Sequence, residues 1–85
     1  MQTFTHVIAD PLGLHARPAG MLVKAASSYQ SSVTVTAPGG QADAKRIMAV
    51  MRLAAKQGTE LTVTVEGDDE IIAAEGLKAF LKEHL

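Results

Sequence analysis

Hydrophobic and polar residues alternate along three segments of the chain. Residues 32–37 alternate serine or threonine with valine, and residues 60–66 alternate threonine or glutamate with leucine and valine. Residues 2–9 place Phe4, His6 and Ile8 on one face. Successive side chains of a strand point to opposite faces, and β-branched residues favour strands. These segments predict half-buried strands, and residues 41–43 predict a short fourth strand after the turn Pro38-Gly39-Gly40.

Three other segments have the composition or spacing of helices. Residues 16–28 predict the first helix and residues 46–54 a second, which Gln57-Gly58 is expected to stop. In the second helix, apolar residues recur at the spacing i, i+3, i+4 and i+7, namely Ile47, Val50, Met51 and Ala54. Gly67-Asp68-Asp69 is expected to cap a final helix, whose apolar stripe is Ala73, Leu77, Phe80, Leu81 and His84.

The element order β-α-β-β-α-β-α predicts an α+β fold of two layers. A strand with one apolar face needs a single covering layer, and three amphipathic helices supply one. The threonines that alternate with valines predict that the other face of the sheet meets water. A chain of 85 residues has the length of one domain, residues 1–85.

Composition narrows the class of protein. The chain has no cysteine, which excludes disulfides and thiolate metal sites. It shows neither a membrane-spanning apolar run nor the basic and apolar regions of a signal peptide, so we expect a cytoplasmic protein without membrane insertion. The net charge of −1 and three aromatic residues give no support to nucleic-acid binding.

Charge is unevenly distributed along the chain. Residues 17–56 hold six basic residues and one acidic residue, a local charge of +5, whereas the remainder carries −6. If the basic side chains share one face, they would steer an acidic protein partner towards it. A solvated surface with an accidental split of charge is the alternative.

The segment from Gly13 to Ala19, Gly-Leu-His-Ala-Arg-Pro-Ala, carries the candidate chemistry. Proline is tolerated in the first turn of a helix, so Pro18 predicts a helix start at this point. His15 would then lie at the helix N-terminus, where free N–H groups favour an anion. The amides of Ala16 and Arg17 and the Arg17 guanidinium are expected to hold phosphoryl oxygens.

Histidine suits phosphoryl transfer because a neutral imidazole nitrogen is a nucleophile at physiological pH. The competing interpretation is that His15 only caps the helix. His6 and His84 lack the spacing of metal ligands, and we expect structural roles for both. No metal or cofactor is expected.

The outer face of the first predicted helix combines cations with an apolar side chain. Arg17, Met21 and Lys24 recur at helical spacing, with Gly20 among them. The second helix offers Met48 and Arg52. Methionine suits surfaces that meet several partners, and we interpret Met21 and Met48 in this way. For Met51, whose spacing matches that of Ile47 and Val50, we expect a side chain packed in the core.

These residues resemble HPr, the histidine-containing phosphocarrier family of the bacterial phosphoenolpyruvate:sugar phosphotransferase system. The resemblance spans the chain, and its most specific part is Gly13 to Ala19. It implies an open-faced β-sandwich with antiparallel sheet order 1-4-2-3. It also implies that Enzyme I phosphorylates His15 on Nδ1, that Arg17 stabilises the phosphoryl group, and that IIA proteins or domains of sugar permeases accept it.

The resemblance further implies a partner-docking face and a monomeric carrier without independent turnover. The face comprises Gly20, Met21, Lys24, Ile47, Met48 and Met51. Two positions depart from the family pattern. Arg46 stands where many relatives have a regulatory serine, so no regulatory serine is expected. Leu12 replaces a small polar residue, so we expect a differently held loop or a larger apolar contact surface.

Two other function classes use the same residues differently. A carrier module of the same fold could serve a nitrogen-type or dihydroxyacetone kinase phosphotransfer chain, and the retained His15 and Arg17 do not separate these chains. An independent histidine phosphatase is disfavoured, because a small two-layer fold has little room for the deep pocket such an enzyme needs.

Overall fold

The computed structural model describes all 85 residues as one sheet with three helices. The elements are β1 (Gln2–Val7), α1 (Ala16–Ser27), β2 (Ser32–Ala37), β3 (Gly40–Asp43), α2 (Ile47–Arg52), β4 (Glu60–Glu66) and α3 (Glu70–His84). The predicted order β-α-β-β-α-β-α is confirmed. No helix has both the length and the hydrophobicity to cross a bilayer.

The four strands are antiparallel and lie in the order β1-β4-β2-β3, as the resemblance implied. β4 is central to the pairing, with Val63 opposite both Phe4 of β1 and Val35 of β2. This register brings the inward-facing residues of the three strands onto one face. Threonines such as Thr34 and Thr64 lie opposite each other on the other face and are partly exposed.

The core lies between the inner face of the sheet and the helices. It forms one cluster of 19 buried residues, with α1 and α3 contributing Ala19, Leu22, Ala26, Ala73, Leu77 and Leu81 to meet the sheet valines. Burying an aliphatic side chain of this size stabilises a fold by about 1.5–3 kcal/mol. The buried residues of the helices and of the strands thus form a single apolar core.

The second helix differs from its prediction. It ends at Arg52 rather than residue 54, because Ala54 adopts a left-handed conformation with φ 49°. Of the four apolar residues at helical spacing, one lies in the core. Val50 is buried, but Ile47, Met51 and Ala54 are exposed. A six-residue helix buries one position and leaves its other apolar side chains on the surface.

Asp69 precedes α3, as predicted, but its carboxylate caps a different part of the chain. It makes no side-chain cap to its own helix. Instead it accepts hydrogen bonds from the Ser31 hydroxyl and from the N–H groups of Gln30 and Ser31, the latter two at 2.9 Å. The Ser31 hydroxyl is the main cause of a lowered pKa for Asp69, with the Gln30 N–H next. Asp69 therefore ties the start of α3 to the chain that enters β2.

We predict that Asp69→Asn removes part of the acid sensitivity of folding. A carboxylate whose pKa is lowered in the folded state stabilises it above the unfolded-state value, and this contribution is lost as pH falls through the folded-state pKa. Below about pH 4, the free energy of unfolding of the wild type should fall more steeply than that of the variant. Urea unfolding from pH 2.5 to 7 measures this difference, and parallel curves for the two proteins would contradict the assignment.

Candidate functional site

His15 is the residue at the N-terminal boundary of α1. Its backbone is extended, with φ −100° and ψ −175°, and its side chain makes no capping hydrogen bond. The imidazole is 37% exposed. The helix begins here because Pro18 occupies the first turn, where its missing N–H costs no helical hydrogen bond. The ring is thus presented to solvent rather than used to cap the helix.

Free backbone donors lie beside the imidazole. The N–H of His15 donates to the Gly13 carbonyl at 3.1 Å, whereas those of Ala16 and Arg17 donate to no carbonyl. Pro18 has no N–H to offer. Unsatisfied N–H groups at a helix start carry the positive end of the helix dipole and attract anions. Arg17 is exposed and its guanidinium forms no ion pair, so both kinds of predicted phosphoryl-holding group are available.

The loop before His15 is held against the segment after α2. Gly13 has φ +69°, a conformation that glycine adopts without steric cost. The next residue, Leu14, is buried, and its N–H donates to the Ala55 carbonyl at 2.8 Å. This contact joins the start of α1 to the chain that follows α2, and so sets the position of His15 relative to the second helix.

An open recess of about 310 Å³ lies at His15. Its other lining residues are Asp10, Arg17, Pro18, Met21, Glu83 and His84. The sequence interpretation did not include Asp10, Glu83 or His84 in the site. The end of α3 reaches this place because the Leu85 carbonyl accepts the N–H groups of Ala9 and Asp10, at 2.5 and 3.1 Å. The His84 ring packs against Phe80 with 4.7 Å between centroids.

The predicted docking residues lie on two helices that approach each other closely. A Cβ placed on Gly20 would lie 3.6 Å from Cδ1 of Ile47, so a small residue allows this approach. Ile47, Met48 and Met51 are all exposed, and Met48 is 64% exposed. The core-packing role predicted for Met51 is therefore wrong. Met21 is half-buried and lines both the recess at His15 and an apolar groove with Lys24 and Phe80.

Two of the six cations of residues 17–56 have partners within the chain. The Lys45 ammonium donates to the Tyr29 carbonyl at 2.9 Å. Arg46 lies 3.8 Å from the Asp43 carboxylate in an exposed pair, which is worth little energetically. The remaining four, Arg17, Lys24, Arg52 and Lys56, are exposed and form no ion pair. The free positive charge thus lies on α1, at the end of α2 and in the loop after it.

The backbone and the side chain of Leu12 have different environments in the loop before His15. The loop is held without a polar side chain at this position, since the Leu12 N–H donates to Oδ1 of Asp10 at 2.9 Å. The Leu12 side chain itself is 76% exposed. It therefore adds apolar surface to the loop that precedes His15.

Comparison with known proteins identifies the family. A family model described as "PTS HPr component phosphorylation site" matches residues 2–83. The chain is 45% identical over 83 residues to the phosphocarrier protein HPr of Lysinibacillus sphaericus, covering 98% of this chain and 94% of the relative. It is 44% identical to HPr of Mycoplasma capricolum over 78 residues, which cover 92% of this chain and 88% of the relative.

Solved structures agree with this assignment. The histidine-containing phosphocarrier protein of a Mycoplasma superimposes with a TM-score of 0.93 at 40% identity, covering 96% of this chain and 93% of that one. HPr from Thermoanaerobacter tengcongensis gives 0.92 at 36% identity, with 99% and 94% covered. The fold and these matches define a phosphocarrier of the phosphotransferase system. The chain belongs to the HPr family.

We predict that Gly13→Ala destabilises the protein. The added Cβ would stand 2.5 Å from the Ala55 carbonyl oxygen and 2.9 Å from Cα of Lys56, in a left-handed backbone conformation. Strain of this kind costs about 1–3 kcal/mol before the clash is counted. Urea unfolding measures the loss. Gly39→Ala is the matched control, because nothing lies within 4 Å of its added Cβ. Equal stabilities for the two variants would contradict the proposed constraint.

Proposed function

We propose that this protein accepts a phosphoryl group on His15 from phosphorylated Enzyme I and donates it to IIA proteins or domains for sugar uptake. The observation that carries the proposal is the half-exposed imidazole at the start of α1, beside two free N–H groups and the unpaired Arg17. Membership in the HPr family supports the same conclusion.

The geometry suits both capture and release of a phosphoryl group. A neutral ring nitrogen of His15 attacks phosphorus, and the N–H groups of Ala16 and Arg17 then face the added negative charge. The guanidinium of Arg17 supplies a charged partner from solvent. The site lies in an open recess rather than a deep pocket, so a partner's acceptor group can reach the phosphorus and remove it again.

The partners are expected to dock on the apolar and cationic surface beside His15. This surface consists of Gly20, Met21, Lys24, Ile47, Met48 and Met51, extended by Leu12 and Arg52. Exposed methionines adapt to partners of different shape, and four free cations favour an acidic partner surface. Enzyme I and IIA proteins would thus use one surface in turn. The protein acts as a cytoplasmic monomer that turns over only with these partners.

Incubation with phosphoenolpyruvate and Enzyme I should add one acid-labile phosphoryl group to the wild-type protein. His15→Ala should remain unmodified, because the accepting nitrogen is gone. Arg17→Ala should be phosphorylated roughly a hundredfold more slowly, since it loses one charge-stabilising group. Intact-mass spectrometry over time measures all three. Lys78→Ala is the control for Arg17, because it removes an exposed cation on α3.

Equal labelling of wild type and His15→Ala would contradict the proposal. Transfer from the phosphorylated protein to a panel of acceptors then tests the phosphotransfer chain. Sugar-type IIA proteins should accept the group faster than nitrogen-type IIA proteins or dihydroxyacetone kinase components. The reverse order would assign the protein to one of those chains, and phosphomonoester hydrolysis without any partner would favour a phosphatase.

We predict that Met48→Glu weakens binding to both partners. It places a negative charge at the centre of an apolar surface that faces acidic proteins, and a loss of tenfold or more in affinity corresponds to about 1.4 kcal/mol. Isothermal titration calorimetry with Enzyme I and with a IIA protein measures the loss. Ile72→Glu is the matched control, because Ile72 is 67% exposed at the other end of α3. If both variants bind equally well, the docking surface is wrongly assigned.

A further inference from the structure

A carboxylate lies on one side of the His15 ring. Oδ2 of Asp10 is 4.0 Å from Nε2 of His15, and the two side chains are 27% and 37% exposed. This is the one ion pair that His15 can form within the chain. The contact singles out Nε2, since it is Nε2 and not Nδ1 that lies within ion-pair distance of the carboxylate.

Asp10 is held in place from three directions. Its carbonyl accepts the Gly13 N–H at 2.9 Å, and its own N–H donates to the Leu85 carbonyl at 3.1 Å. Oδ1 accepts the Leu12 N–H at 2.9 Å. One carboxylate oxygen is therefore committed to the loop, and the other is left for the imidazole. Asp10 stands at a defined place relative to His15 because both belong to the same braced loop.

The position of this charge bears on which ring nitrogen is free. A neutral imidazole carries its proton on one nitrogen and a lone pair on the other. A carboxylate near one nitrogen stabilises the tautomer with the proton there, as it does for histidines that bind metals. At 4.0 Å the pair is longer than a hydrogen bond, so Asp10 acts on the free protein through its charge. Such contacts commonly shorten when a reaction complex forms.

We propose that Asp10 is a positioning residue that keeps the proton of His15 on Nε2 and leaves Nδ1 to receive the phosphoryl group. The inference rests on the proposed function. In the transfer, the Nδ1 lone pair forms the N–P bond while the bond between phosphorus and the donor atom breaks, and its electron pair leaves with the donor. The proton stays on Nε2. The ring becomes cationic, and the Asp10 carboxylate balances that charge.

Three other charged or titratable groups line the same recess, namely Arg17, Glu83 and His84. Arg17 and His84 carry no negative charge that could hold a proton on the ring. Glu83 is the second carboxylate, and it is not within ion-pair distance of His15. Removing the charge of Asp10 or of Glu83 in separate variants therefore distinguishes the contact between Asp10 and His15 from the overall negative charge of the recess.

The test uses Asp10→Asn, which removes the charge and keeps an oxygen that can accept the Leu12 N–H. Long-range ¹H–¹⁵N correlation spectra of the full-length protein, recorded above the titration range of histidine, give the two tautomer populations of His15. We expect the Nδ1–H population to rise at least about threefold in Asp10→Asn and to stay unchanged in Glu83→Gln. Unchanged amide shifts of Gly13 and Leu14 would show that the loop is intact.

Phosphorylation by Enzyme I supplies a second readout. We expect Nδ1-phosphohistidine in the wild type, identified by ³¹P and ¹⁵N shifts, and a kcat lowered about tenfold in Asp10→Asn with little change in KM. Asp10→Glu, which keeps the charge, should recover part of the rate. Phosphorylation on Nε2, or equal tautomer shifts in Asp10→Asn and Glu83→Gln, would overturn the role of Asp10. Absence of any labelling of wild-type His15 would instead overturn the proposed function.

Discussion

The hydrogen bond from the Leu14 N–H to the Ala55 carbonyl is the constraint on which the site depends. It joins the loop that carries His15 to the chain just after α2, and it requires the left-handed Gly13 to bring the two backbones together. The buried Leu14 side chain anchors the same point in the core. Without this contact, the His15 imidazole just before α1 and the exposed methionines of α2 would not hold one relative position.

The helices differ in how much of their apolar surface is buried. α3 contributes three buried residues and also reaches the site, because the Leu85 carbonyl holds the N–H groups of Ala9 and Asp10. α2 buries Val50 and leaves its other large side chains in water. An apolar surface of this kind costs solubility unless a partner covers it, and it commonly marks an interaction site.

The sequence predicted every element of the fold because alternation in β2 and β4 and the Pro18 helix start are local signals. It was wrong about Met51, which it assigned to the core and which is exposed, since six residues give too few turns for periodicity to separate buried from exposed side chains. Asp69 shows a second reason for missed contacts. The sequence predicted its place before α3, but its hydrogen-bond partners are 38 and 39 residues away along the chain. The sequence placed Asp10 in a loop but did not indicate a contact with His15, because the distance between the two side chains depends on how the loop folds.

A phosphoryl carrier needs a nucleophile that is good enough to accept the group and a product that is not too stable to pass it on. Near the His15 ring, the chain has two free N–H groups and Arg17, and the Asp10 carboxylate lies 4.0 Å from Nε2. In the proposed transfer, the free N–H groups and Arg17 would attract the phosphoryl oxygens, and Asp10 would stabilise the cationic ring. Each group contributes modestly because the site is open to water, where charges interact weakly. A few exposed groups of opposite sign are thus what we expect around a bond that must form readily and remain easy to break.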